Sequence, residues 1–243
     1  MLSSLFRLRA RTFASKLEMR GGIGLSSSVA LFGLYMVVFL FSLTIHEAAH
    51  AWTAERFGDP TGRYLGRVSL NPMAHIDLFG TILFPAIGFF SGGLMFGWAK
   101  PVPWNPLNVK DRRKADIWIS AAGPLSNLLA MVGFILLWHM VNLFHPAILS
   151  LGTRHPGFNS PMGALVLMCQ IGIQLNLVLA VFNMIPTPPL DGSHILPYFL
   201  PRKMAEIYDA IRPYGFIILL AFLYLGIFSI ILLPFWMLVS FFL

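Results

Sequence analysis

Long apolar runs separated by short polar loops dominate this chain. The strongest apolar stretches cover residues 29–56, 117–144, 162–185 and 216–243. A helix needs about 20 residues to cross roughly 30 Å of hydrocarbon, and each stretch is long enough. The pattern therefore predicts an all-α, multi-pass membrane protein.

Three further stretches have weaker patterns. Residues 81–98 are apolar but interrupted by Pro85 and several glycines, and the central Ser91-Gly92-Gly93 predicts the tip of a re-entrant hairpin. Residues 193–200 are apolar but too short to span a bilayer. Residues 202–212 carry apolar and charged side chains on opposite faces, which predicts a helix lying in the membrane interface.

These patterns predict a bundle of about four to six membrane segments that includes a re-entrant hairpin. They also predict three parts along the chain, namely a basic N-terminal arm (1–28), an intramembrane core (29–200), and an interfacial helix followed by a last membrane segment (201–243).

Composition agrees with this architecture and excludes other classes. The 243 residues are 57% hydrophobic and 11% charged, whereas soluble domains are about 45–50% apolar and 25% charged. A large soluble domain is therefore excluded. The single cysteine, Cys169, excludes an internal disulfide framework. The net charge of +7 fits contact with lipid headgroups better than nucleic-acid binding, because the basic residues cluster in the N-terminal arm and between apolar segments.

The basic N-terminal arm leaves two locations open. It fits an interfacial arm on an anionic membrane surface, which favours the cell membrane, and it equally fits an organelle transit peptide.

The first apolar run ends in the motif His46-Glu47-Ala48-Ala49-His50. In a helix, His46 and His50 lie one turn apart on the same face and can bind one metal ion. Glu47 then lies beside them as a base for a metal-bound water. The motif predicts a zinc hydrolase, although two histidines at this spacing also arise by chance.

A catalytic zinc ion usually has three protein ligands, so a third partner is needed. Asp191 is the best candidate, because it is the only acidic residue between Asp116 and Glu206. An unpaired carboxylate at membrane depth costs about 2.5–3.5 kcal/mol of insertion free energy. Metal binding would remove much of this cost. The alternative is a solvated turn before Gly192.

The stretch before Asp191 contains Pro186, Pro188 and Pro189, which prevent a regular helix. Irregular backbone at membrane depth occurs where it lines a cavity or is buried in protein, which fits the wall of an active site. Asn183 could donate a hydrogen bond to a substrate carbonyl or oxyanion, or it could cap the broken helix end.

Three other polar residues are weaker candidates. His194 could support Asp191 or compete with it as a ligand, and His75 could line the site or make only a loop contact. Asn127 could join helices through hydrogen bonds.

Together these residues resemble the site-2 protease family of intramembrane zinc metalloproteases, in its compact branch without PDZ or CBS domains. The resemblance extends over residues 42–196. Its motifs are the His46 motif, Gly66-Arg67-Val68-Ser69-Leu70-Asn71-Pro72, Gly97-Trp98-Ala99-Lys100-Pro101-Val102-Pro103, Ala122-Gly123-Pro124-x-x-Asn127 and Asn183-x-x-Pro186-x-x-x-Leu190-Asp191-Gly192.

The resemblance implies that His46, His50 and Asp191 bind one zinc ion per chain, that Glu47 is the general base, and that Asn183 assists at the substrate carbonyl. It also implies a membrane protein as substrate, with a single-span protein expected. Two other functions stay open. A metal or proton transporter could use the same His/Asp site but would give Glu47 no task, and a catalytically silent scaffold would need no intact ligands.

The predicted topology contains a conflict. The positive-inside rule puts the basic N-terminal arm in the cytoplasm. If residues 81–98 also span the membrane, His50 and Asp191 approach from opposite ends and meet only near the midplane. A re-entrant hairpin instead brings both motifs to the cytoplasmic end and leaves the arm outside. We prefer the hairpin, because metal geometry is the stricter constraint.

Overall fold

A computed structural model describes residues 25–92, 95–144 and 161–241, and these ranges are helical, without a β-strand. The longer helices are α1 (Leu25–Arg56), α2 (Phe84–Phe90), α3 (Arg112–Phe144), α4 (Pro161–Asn183), α5 (Arg202–Ile211), α6 (Gly215–Tyr224) and α7 (Ile227–Ser240). Shorter helical turns cover Thr61–Tyr64, Pro72–Ala74, Leu78–Leu83, Gly192–Ile195, Leu196–Phe199 and Arg212–Tyr214. Most of the predicted N-terminal arm (1–28) lies outside the described residues.

Four stretches of the described chain are long and apolar enough to cross a membrane. They are Ser28–Arg56, Arg112–Leu143, Pro161–Asn183 and Arg202–Tyr224. The predicted multi-pass helical bundle is therefore confirmed. The division of the chain into three parts stays a prediction.

Helix α3 packs between α1 and α4 and runs antiparallel to both. Phe41 of α1 meets Phe134 of α3 with ring centroids 6.0 Å apart, while His50, farther along α1, contacts Ile119 near the start of α3. On the other side, Gly172 of α4 lies against Phe134, where a side-chain β-carbon would come within 2.5 Å of the ring. The C-terminal ends of α1 and α4 and the N-terminal half of α3 therefore meet at one end of the bundle.

Residues 78–92 and 95–98 leave and return to the same place, as expected for the hairpin predicted over residues 81–98. The chain runs out through α2 and turns at Ser91 and Gly92, where Gly92 has φ +68°. It returns beside its starting point, since Trp98 N–H donates to Gly80 O (3.1 Å) and Thr81 Oγ donates to Trp98 O (2.9 Å). Both ends of the hairpin thus lie at the same end of the bundle, as the metal geometry required.

A buried carboxylate joins the end of α1 to the loop that precedes α3. Asp59 accepts hydrogen bonds from the hydroxyl of Thr61 (2.6 Å), the backbone N–H of Asn105 (2.6 Å) and the side-chain amide of Asn108 (2.6 Å). Burial alone would raise the pKa of the Asp59 carboxyl, but these hydrogen bonds outweigh burial and hold the pKa below its ordinary value. The connection fixes α1 relative to the start of α3.

The described part of the predicted last membrane segment (216–243) is two helices rather than one, and whether it crosses the membrane stays a prediction. The chain breaks at Gly226, which adopts the left-handed conformation (φ +72°) and separates α6 from α7. Helix α7 has 14 residues and is shorter than the about 20 residues needed to cross hydrocarbon. Helix α6 belongs to the Arg202–Tyr224 stretch, which is long enough to cross, and the interfacial position predicted for residues 202–212 stays a prediction. Glycine ends helices because it reaches positive φ without steric cost, whereas Pro234 lies inside α7.

Candidate metal centre

The structure brings His46, His50 and Asp191 together, although Asp191 is far from the histidines in sequence. Their nearest ligand atoms lie within 4.8 Å of one another. His46 Nε2 is 3.2 Å from one carboxylate oxygen of Asp191, and His50 Nε2 is 3.5 Å from the other. Both histidines are buried. The helical spacing of the motif and the position of Asp191 after α4 produce this arrangement.

The outer nitrogens of both imidazoles are held by oxygen atoms of α3. His46 Nδ1 lies 2.6 Å from Asn127 Oδ1, and His50 Nδ1 lies 2.6 Å from Ile119 O. Because both partners are acceptors, each Nδ1 carries a proton, and Nε2 is the nitrogen of each ring that can bind a metal ion.

The inner atoms of this group fit a metal ion. Asp191 Oδ2 is buried and has no hydrogen-bond donor in the described part of the chain. Two imidazole Nε2 atoms and a carboxylate therefore face one another in a buried group, an arrangement that a bound cation would stabilise. Two histidines and one carboxylate are a common ligand set of catalytic zinc.

A closed hydrogen-bond network lies behind His46. The Asn127 amide donates to Ser42 O (3.1 Å) and to Asn176 Oδ1 (2.9 Å). The Asn176 amide in turn donates to Ser42 Oγ (2.8 Å) and to Gly172 O (2.8 Å). These bonds join α1, α3 and α4 and confirm the predicted bracing role of Asn127. We had not singled out Asn176, although an asparagine inside an apolar spanning helix is itself a signal.

Gly123 of α3 lies directly against the two imidazoles. A β-carbon at this position would be 2.6 Å from His46 Nε2 and closer still to His50 Nε2. Glycine is therefore needed at position 123 for α3 to approach the ligands.

The segment that carries Asp191 is irregular from Met184 to Leu190. It folds back on itself, so that a β-carbon on Gly192 would lie 2.6 Å from the carbonyl carbon of Met184. Asp191 begins the short helical turn Gly192–Ile195. The prolines before Asp191 thus end α4 and allow the carboxylate to turn toward α1.

The two predicted catalytic residues lie nearby on different elements. Glu47 is half-buried on α1, and its carboxylate makes no hydrogen bond or ion pair with another described side chain. Asn183 ends α4, and its amide donates to Leu179 O one turn earlier (3.0 Å). This contact agrees with a role at the helix end, and a catalytic role for Asn183 stays a prediction.

The remaining candidate histidines are not part of the ligand group. His194 Nδ1 lies 3.7 Å from Asp116 Oδ1, and nearly half of its side chain is exposed. The structure therefore does not bring His194 to the ligands, either as a competitor or as a support. Buried His75 uses Nε2 to bind Ser69 O (2.9 Å), which is the loop contact that we weighed as its alternative role.

The sequence model of peptidase family M50, the site-2 protease family, matches residues 34–226. The chain belongs to this family. It is 40% identical over 202 residues to "Putative zinc metalloprotease YwhC" of Bacillus subtilis, a match that covers 82% of this chain and 84% of the relative. It is 29% identical over 198 residues to "Putative zinc metalloprotease Rip2" of Mycolicibacterium smegmatis, covering 81% and 69%. No solved structure matches the chain.

The family membership confirms the predicted resemblance and the predicted class of enzyme. The chain is a metalloprotease with zinc as its metal, and it is an integral membrane protein. The protease assignment displaces the transporter and the silent scaffold that the sequence alone left open.

Proposed function

We propose that this metalloprotease hydrolyses a peptide bond within or near the transmembrane segment of membrane-protein substrates. His46, His50 and Asp191 would hold one zinc ion per chain. The convergence of two imidazole Nε2 atoms and a buried carboxylate carries the proposal. This group lies among helices that are apolar enough to cross a membrane, which supports a membrane protein as the substrate.

Zinc, when bound in such a site, acts as a Lewis acid that makes water acidic and polarises a carbonyl. Within the protein, Glu47 would accept the proton of the attacking water and return it to the leaving nitrogen. Two features support this assignment. Glu47 follows the first ligand directly on α1, and its carboxylate has no hydrogen-bond or ion-pair partner among the described residues that would compete for the proton.

The remaining protein groups would orient the reactants. Asn127 and the carbonyl of Ile119 fix the rotation of the imidazoles and so keep both Nε2 atoms on the inner side. The irregular Met184–Leu190 backbone would form a wall of the substrate site, since a peptide bond inside a regular helix is shielded from attack. Asn183, at the end of α4, would help to bind the substrate carbonyl.

The decisive experiment separates metal binding from proton transfer. In Glu47→Gln we expect zinc content equal to wild type and no cleavage of a reporter, because the amide fills the same space but accepts no proton. His46→Ala should instead lose both zinc and cleavage. Full activity of Glu47→Gln would disprove the proposed role of this carboxylate.

The substrate class can be tested in the same strains. We propose a single-span substrate in the cell membrane, and a comparison of membrane proteomes with wild-type and Glu47→Gln enzyme should identify it. Single-span proteins that accumulate or co-purify with the inactive enzyme would support the proposal. Accumulation of soluble proteins alone would contradict it.

A further inference from the structure

The segment that carries Asp191 receives hydrogen bonds from the C-terminal part of the chain on both sides of the ligand. The Tyr208 hydroxyl of α5 lies 3.1 Å from Pro186 O, before Asp191, and 3.3 Å from Ser193 O, after it. Arg212 Nη2 donates to the same Ser193 O at 3.0 Å. Tyr208 of α5 and Arg212, which follows α5 directly, thus contact both ends of the segment that carries the carboxylate.

The start of α6 makes a third contact with this segment. Gly215 is buried, and a β-carbon there would lie 2.6 Å from both Pro188 Cβ and Pro188 O. The backbone of α6 therefore packs directly on the proline-rich stretch. All three contacts come from residues that follow the predicted intramembrane core (29–200).

The segment needs such outside support because its own backbone supplies only isolated turns, such as Thr187 N–H to Ile185 O and Leu190 N–H to Thr187 O. Pro186, Pro188 and Pro189 lack N–H groups and prevent the regular hydrogen bonds that would hold a helix in place. Carbonyls such as Pro186 O then need donors from other elements. The ligand atoms of a working metal site must also be held within about 0.5 Å of the geometry that the metal needs. An irregular segment without outside contacts does not hold a ligand that closely.

We propose that Tyr208 and Arg212 are positioning residues that hold Asp191 in place for zinc binding. The inference rests on the proposed role of Asp191 as a zinc ligand. Neither side chain contacts the ligand atoms, and both act through the backbone carbonyls that flank Asp191. The C-terminal part of the chain is therefore needed for the metal centre itself.

The test uses the full chain, purified in detergent, with zinc alone as the probe. Tyr208→Phe removes only the hydroxyl, and we expect zinc affinity, measured by chelator competition, to fall about tenfold, the lower end of what loss of an outer support costs. The matched control is Tyr214→Phe, since Tyr214 is exposed, and it should bind zinc as wild type does. The visible spectrum of the cobalt-substituted protein should change in Tyr208→Phe and not in Tyr214→Phe.

A purely structural role predicts a different result. If Tyr208 were only structural, Tyr208→Phe would lower the melting temperature of the metal-free protein and leave the zinc affinity and cobalt spectrum of the folded fraction unchanged. That result would overturn the proposal. If Tyr208→Phe does not accumulate, Arg212→Leu provides the same test, and Arg212→Lys, which keeps a donor, should recover part of the affinity. Equal zinc affinity in both Arg212 variants and wild type would also refute it.

Asp191→Ala separates this inference from the proposed function. If Asp191→Ala binds zinc as tightly as wild type, the proposed ligand set is wrong. If Asp191→Ala loses zinc and Tyr208→Phe does not, only the positioning role is wrong.

Discussion

Gly123 and His50 are in such close contact that His50 Nε2 occupies space that a β-carbon on residue 123 would need. The contact couples the packing of α3 on α1 to the metal centre, because the affected atom is a predicted zinc ligand. An ordinary side chain at position 123 must therefore displace either the helix or the imidazole.

We expect Gly123→Ala to lower zinc affinity by at least about tenfold and to lower proteolysis with it, because the added methyl group competes with the ligand nitrogens for space. Zinc content after dialysis against a chelator checks this. Gly133→Ala is the matched control on the same helix, since a β-carbon there meets nothing within 4 Å. Wild-type zinc affinity in Gly123→Ala would show that α3 can move away without cost to the site.

The hydrogen-bond network behind His46 predicts that zinc affinity falls more when the substituted residue contacts His46 directly. Asn127→Leu removes the acceptor of His46 Nδ1–H, so we expect zinc affinity to fall about 10- to 100-fold. Asn176→Leu leaves the His46–Asn127 bond intact but leaves an Asn127 N–H and the Ser42 hydroxyl unpaired. It should cost about 1–3 kcal/mol of stability with a smaller loss of zinc.

Thermal unfolding and chelator competition on the two variants measure these two effects. Zinc affinity should be highest in wild type, lower in Asn176→Leu and lowest in Asn127→Leu. Equal zinc affinity in Asn127→Leu and Asn176→Leu would contradict a specific orienting role for Asn127.

The long helices and the ligand group were predictable from sequence because their signals are local. An apolar run of sufficient length identifies α1, α3 and α4, and helical spacing puts His46 and His50 on one face. Asp191 was found because a lone carboxylate between apolar segments needs a partner. Each inference needs only the neighbouring residues and the cost of burying charge.

The features that sequence reasoning missed depend on tertiary contacts. The break at Gly226 was missed because glycine also occurs inside membrane helices, and hydropathy does not separate the two uses. The function of Tyr208 depends on which carbonyls lie beside it, and no periodicity encodes that. Asn176 had a sequence signal, but its partners Ser42 and Asn127 lie on other helices.

Asp59 should make stability depend on acidic pH. Its pKa is lowered in the folded protein, so its contribution is complete above the pKa of an unfolded aspartate, about 3.9, and is lost as the pH falls through the lower folded value. We expect the melting temperature of wild type to fall more steeply below about pH 4 than that of Asp59→Asn, which lacks this titration. At pH 7 the variant should already be less stable, since an amide cannot accept all the bonds that Asp59 accepts.

Melting curves between pH 3 and 7 for the two proteins check this prediction. Glu206→Gln is a suitable control, because Glu206 is exposed and, among the residues that the structure describes, pairs only with Arg202 one helical turn away. A pH profile of Asp59→Asn parallel to that of wild type would mean that other carboxyl groups cause the acid sensitivity.

The hairpin at residues 78–98 predicts the accessibility of the loops on either side of it. Leu70 precedes the hairpin and Leu107 follows it, and both side chains are largely exposed (73% and 90%). The Trp98–Gly80 and Thr81–Trp98 hydrogen bonds return the chain to its starting level. Single cysteines at positions 70 and 107 should therefore react with an impermeant thiol reagent from the same side of the membrane.

The native Cys169 is fully buried, so background labelling should be low, and Cys169→Ser removes what remains. Gly92→Cys at the hairpin tip should label poorly from the side on which Leu70→Cys and Leu107→Cys label well, because the hairpin carries it away from that face. Labelling of positions 70 and 107 from opposite sides would require residues 78–98 to span the membrane. His50 and Asp191 would then approach from opposite sides and meet only near the midplane, whereas the structure brings them to 3.5 Å at the end of the bundle where the C-terminal ends of α1 and α4 meet.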